Sequence, residues 1–195
     1  MSLAGENDRR EIAALAARLI ADSGLDYRSA KARAVRELFG TRPPRGAVPD
    51  NDLVDEALRE HLELFDQEHP ARVKRLREVA LDLMDKLAQF RPLVTGAAWK
   101  GIVAEHAPLH LQVFHENPKE VQYWLLDRNI RFEVDLIEHF RARDQVEALM
   151  FEWRGESVLL SVYGYDDLRG ALKPGASGAQ RGDREALEKK MQERR

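Results

Sequence analysis

Cysteine is absent from the 195-residue chain. That excludes disulfide staples, zinc fingers and thiol nucleophiles, and makes a reducing, cytoplasmic setting the expected one. An excess of either charge is also missing. Thirty-one Lys and Arg stand against 34 Asp and Glu, a formal net charge of −3, so no blanket attraction to nucleic acid or membrane follows. No apolar run approaches membrane-spanning length, so no membrane partner is expected. The first residues, MSLAGENDRREIAALAARLIADSG, are apolar only in a helical rhythm broken by Arg18 and Asp22, without the basic-then-apolar order of a signal peptide. Missing too are a GxxxxGK[ST] phosphate loop, a GxSxG nucleophile elbow and an HExxH helix, which removes three large enzyme classes.

What is present describes a globular chain. Hydrophobic residues make up 44% and charged residues 33%, enough for one core with a helical appendage. From Asp8 to Ala21 the apolar positions Ile12, Leu15, Leu19 and Ile20 fall at helical spacing, and a shorter helix follows from Tyr27 to Phe39. GTRPPRGAVP, residues 40–49, holds three prolines and two glycines and reads as a linker. Asp52 is placed to cap a helix reaching Phe65, with Val54, Leu58, Leu62 and Phe65 along one side. Eight acidic residues lie between 50 and 68, against Arg59 alone. The next helix, Val73 to Phe90, opens with Arg72, Lys74, Arg75 and Arg77, so the two are expected to pair as a hairpin of complementary charge.

Beyond Arg91 the period shortens. Pro92 to Thr95 and Leu109 to Phe114 read as strands, and Asn117-Pro118-Lys119-Glu120 opens a helix running to about Arg128. Ile130 to Ile137 is a further strand with Ile130, Phe132, Val134 and Leu136 facing one way. Val146 to Trp153 and Val158 to Tyr163 form a hairpin around Arg154-Gly155. After Asp167 the chain reads as a polar tail with a transient helix near its end. The expected division is a helical arm and linker over 1–48, an α+β core over 49–168 with a small mixed sheet and flanking helices, and a flexible tail over 169–195.

The stretch Gly96-Ala97-Ala98-Trp99-Lys100-Gly101, with twelve residues between Ala97 and the following His110-Leu111-Gln112, resembles the glycine frame and metal strand of the nucleotidyltransferase superfamily core, the polymerase-beta-like and minimal nucleotidyltransferases. Val134-Asp135-Leu136 is similar to the family's third motif, and the resemblance spans roughly residues 75–165. It implies a strand, a glycine turn, a second strand bearing paired carboxylates, and a third carboxylate on a later strand. Here the pair is replaced by His110 and Gln112, and the serine of the frame by Ala97. Magnesium prefers hard anionic oxygen, so a neutral imidazole and a neutral amide make a poor pair of ligands for it.

The resemblance therefore implies a degenerate site whose role is binding. The candidate ligand-binding residues are Gly96, Ala97, Lys100, Gly101, His110 and Gln112, with Lys100 and the turn amides facing a phosphate. The expected partner is a nucleotide or phosphorylated ligand, with no cofactor; RNA stays open. A protein partner through the helical arm is also open, and the structural alternative is a regulatory module whose charged helical arm mediates oligomerisation. An enzymatic alternative keeps magnesium and recruits Asp135, Glu133 and Glu105 as carboxylates. His106, His110 and His115 cluster in sequence, which also admits a histidine site, although loop and strand-edge histidines commonly bind only water or backbone.

Overall fold

The computed structural model describes residues 3–40, 44–141, 144–175 and 178–193. Among these lie eight α-helices and a six-stranded mixed sheet, an α+β architecture with a helical N-terminal region. The chain separates into two compact units, one of residues 1–72 with 102–106 and the other of 73–101 with 107–195.

In the first unit, α1 (Leu3–Ser23) packs on α2 (Tyr27–Phe39) and α3 (Asn51–Phe65). Ile12, Ala16, Ile20, Ala30, Ala34, Val54 and Leu58 bury the shared faces, as their helical spacing requires. Asp26 caps α2 by accepting from the Ser29 amide at 3.0 Å. The cap of α3 is Asp50, not Asp52. Its carboxylate accepts from the Leu53 amide at 2.9 Å, because the accepting side chain must sit one residue before the first helical turn. Phe65 is exposed at the end of α3 rather than buried with Leu62.

Helix α4 (His69–Lys86) starts in the first unit and ends in the second. Its basic residues find separate partners, one of them in the acidic stretch. Arg72 binds Asp66 at 2.7 Å, Arg75 binds Glu156 at 2.6 Å, and Arg77 is buried against backbone carbonyls. Phe90 belongs to a separate 3₁₀ turn, Ala88–Phe90.

The second unit is built on the sheet. Its strands are β1 (Leu93–Thr95), β2 (Leu109–Phe114), β3 (Glu133–Glu138), β4 (Gln145–Trp153), β5 (Glu156–Tyr163) and β6 (Arg181–Gly182), in the order β3-β4-β5-β2-β1-β6. Only β2 and β5 run parallel. The β4–β5 hairpin closes through Arg154 and Gly155, both at positive φ (50° and 81°), as a two-residue turn matched to strand twist requires. One face carries Leu109, Leu111, Val113, Leu149 and Leu160, all fully buried. Helix α6 (Pro118–Leu126) is tied beside β4 by Gln122 to Glu147 at 2.6 Å; Asn117 caps it and Pro118 takes its first turn.

Two expectations change. Residues 130–132 are not strand, and Val134 and Leu136 are exposed, because β3 is the outermost strand and has a neighbour on one side only. The polar tail expected over 169–195 instead contains α7 (Leu168–Ala171), β6 on the sheet edge, and α8 (Arg184–Gln192), capped by Asp183 and holding Leu187 fully buried. No described helix is long and apolar enough to cross a membrane.

Candidate ligand-binding site

The opposite sheet face is polar at its centre. Register alone sets this. Thr95 faces His110 and Arg181, Gln112 faces Ser161, and side chains directly opposite one another share a face. Arg181, Thr95, His110, Gln112, Ser161 and Tyr163 therefore share one face, on which Gln112, Ser161 and Tyr163 are buried and Tyr163 packs with Leu93, Phe114 and Ala171; Asp135 and Glu133 continue it at the far edge through Ala148 and Met150.

Gly96, His110 and Gln112 come together. Gly96 takes φ 62° as β1 turns into α5 (Gly96–Lys100), and a Cβ there would lie 3.1 Å from His110 Nδ1. Burial pushes the His110 pKa below its usual value, so the ring is held neutral. Gln112 is only 5% exposed. Its Nε2 donates to the Tyr163 hydroxyl at 3.4 Å, while Oε1 has no hydrogen-bond partner among the described residues. Burial raises the Tyr163 pKa, opposed by hydrogen bonds with Ser161 and Gln112 and by the charge of Arg181.

Arg181 sits over the Phe140 ring at 4.5 Å and donates to the Ala171 carbonyl at 3.2 Å. Its Nε is buried without a partner among the described residues, and burial lowers its pKa. Arg181 and Tyr163 were not among the sequence candidates. Arg181 lies in a polar, glycine-containing stretch with no period to mark it, whereas the alternation of β5 does put Tyr163 on the same face as Ser161.

The remaining candidates are dispersed. Gly96 to Gly101 is not an open turn. It is a single short helix with Ala98 and Trp99 buried, rather than the turn expected to hold Lys100. Trp99 Nε1 donates to the Ala179 carbonyl at 2.7 Å, and Lys190 lies 4.5 Å over its ring, which packs the chain's last segment on α5. Ala97 is in the first turn, Lys100 in the last, and buried Gly101 caps the helix at φ 68°. Asp135 stands three strands from β2, about 14 Å at the usual strand spacing, and accepts from the neighbouring Leu136 amide at 2.8 Å. Glu133 shares that edge strand, and Glu105 belongs to the 102–106 segment of the other unit.

The three neighbouring histidines also separate. His106 belongs to the first unit, and His115 is bound by the Asn117 backbone at 3.0 Å. Among the described residues no group of three or more His, Asp or Glu side chains could hold a metal ion. Neutral His110 and Gln112, without a carboxylate beside them, do not fit magnesium; what they offer is a hydrogen-bonding surface.

The chain matches no family model and no curated protein.

Proposed function

We propose that the chain is a nucleotidyltransferase-like binding protein for a phosphorylated small ligand, of which a nucleotide is the preferred case, and that it does not carry out metal-dependent nucleotidyl transfer. The observation that supports this is Gln112: a buried amide whose Oε1 lacks a donor among the described residues, on the same sheet face as Arg181. A buried acceptor left unmade costs about 1–3 kcal/mol, so a ligand donating an N–H, as a nucleobase edge does, recovers that loss. Arg181 supplies a cation for the phosphate, and Tyr163 and Ser161 supply hydroxyls between them.

The test is thermal stability during titration with nucleoside mono-, di- and triphosphates, with and without magnesium. Stabilisation should be the same in both conditions and should reach about 2.7 kcal/mol at a hundredfold excess over Kd. It should disappear in Gln112→Met. Stabilisation that requires magnesium and vanishes in Asp135→Asn would overturn the proposal in favour of an enzyme.

A further inference from the structure

Strand β3 ends the sheet, and its outer edge pairs with no other strand among the described residues. Its two faces differ in chemistry. Glu133 and Asp135 stand on one, opposite Met150 and Ala148 of β4, with Glu152 two residues further along the same side of β4. Val134 and Leu136 stand on the other and are 50% and 56% exposed. Beside them α6 adds Leu126, 56% exposed. Gln122 of that helix binds Glu147, the β4 residue opposite Leu136, and Leu126 lies one turn further on the same helix face. On the acidic side an open groove of about 760 Å³ is lined by Arg131, Glu133, Met150 and Glu152 among others.

Edge strands normally carry charge or proline to discourage pairing. Here the charge is of one sign. The six residues of β3 include Glu133, Asp135 and Glu138 and no cation. A second copy of β3 would bring carboxylates against carboxylates, and like charges directly opposite one another destabilise a strand pair. A cationic strand has no such difficulty. The geometry points to β3 as a docking edge for an extended segment of another protein, about six residues long, in which Lys or Arg alternates with aliphatic residues. Its cations meet Glu133, Asp135 and Glu152 on one face. Its aliphatic side chains cover Val134, Leu136 and Leu126 on the other, and its backbone continues the sheet.

The experiment uses the full chain and fluorescein-labelled peptides in anisotropy titrations at physiological ionic strength. KVKVRVKV should bind about tenfold or more tightly than KKRKVVVV, which has the same composition without the alternation. Hydrogen exchange should slow at residues 133–138 when the alternating peptide binds. The doubly substituted Glu133→Lys/Asp135→Lys chain should lose that binding and take up EVEVEVEV instead, and Leu136→Ser should weaken KVKVRVKV while circular dichroism stays unchanged. Equal affinity for the alternating and blocked peptides would overturn the inference, since attraction would then be by charge alone. Protection away from β3 would overturn it as well. So would a concentration-dependent dimer abolished by Leu136→Ser, which would make a second copy the occupant.

Discussion

Three residues decide how the polar face is built, and each makes a separate prediction. Gly96 suits this position because its φ of 62° and the nearness of His110 both disfavour a side chain. Gly96→Ala should cost about 1–3 kcal/mol in urea denaturation. Adding His110→Ala should recover only the steric part, leaving the backbone part behind. Gln112 carries the opposite expectation. Gln112→Met removes an unpaired buried acceptor at nearly constant volume, so the unliganded chain should be stabilised by about 1 kcal/mol while ligand binding is lost. His110 adds a pH dependence. Its folded pKa lies below the ordinary value of 6.5, so the unfolded chain takes up the proton first as pH falls. Stability should therefore fall with pH below 6.5, level off once the folded ring also protonates, and lose this component in His110→Gln. Denaturation midpoints between neutral pH and the acid range check it. Asp66 acts in a separate, lower window, because its hydrogen bond with Arg72 depresses its pKa below 3.8.

Among the elements, α5 depends most on groups outside itself. A five-residue helix cannot satisfy its own final carbonyls. Arg77 of α4, itself buried, supplies the donors, with Nε 2.8 Å from the Ala98 carbonyl and an Nη 3.4 Å from that of Trp99. Arg77→Met should cost about 2–4 kcal/mol, measured by urea denaturation, because charge-assisted bonds are lost and carbonyls are left buried. From the other side, Gly182 in β6 lies so close to Trp99 that a Cβ would come within 2.3 Å of the ring. Gly182→Ala should destabilise by about 1–3 kcal/mol through overpacking, an effect that a flexible tail would not show. These contacts mark the limit of what the sequence alone conveys. The helices α1 to α4, the alternation of β2 and the Arg154-Gly155 hairpin were legible, because each is set by local period, cap or turn chemistry. The run Gly96 to Gly101 was not, since two glycines bracketing four residues suit a loop as well as a capped helix. β6 was hidden for a related reason, and α8 was legible only as a transient helix near the end of the tail. A two-residue strand has no alternation, and α8 buries Leu187 alone. The parallel pairing of β2 with β5, which brings Gln112 against Ser161, joins residues 49 positions apart, and no local pattern announces it.

For the molecule as a whole, the consequential feature is that each unit has its own buried residues. In the first, α1 contributes Ile12, Ala13, Ala16, Ala17, Leu19 and Ile20, packed on α2 and α3. In the second, Leu109, Leu111, Val113, Leu149 and Leu160 form a sheet core to which the described residues among the first forty-eight contribute no strand. A chain beginning at residue 49 loses α1 and α2 and uncovers Val54, Leu58 and Leu62 of α3, each worth about 1.5–3 kcal/mol of burial. The expected result is a loss of helical circular dichroism and new binding of a hydrophobic dye, with slow hydrogen exchange retained in β2, β4 and β5. Exchange is the deciding measurement, because it reads the sheet strand by strand. If protection in those strands collapses together with the helices, the sheet draws its stability from the N-terminal helices and the two units are one cooperative body. If it persists, the sheet with its polar face folds in its own right, and on the proposed function nucleotide should still raise its melting temperature after α1 and α2 are gone.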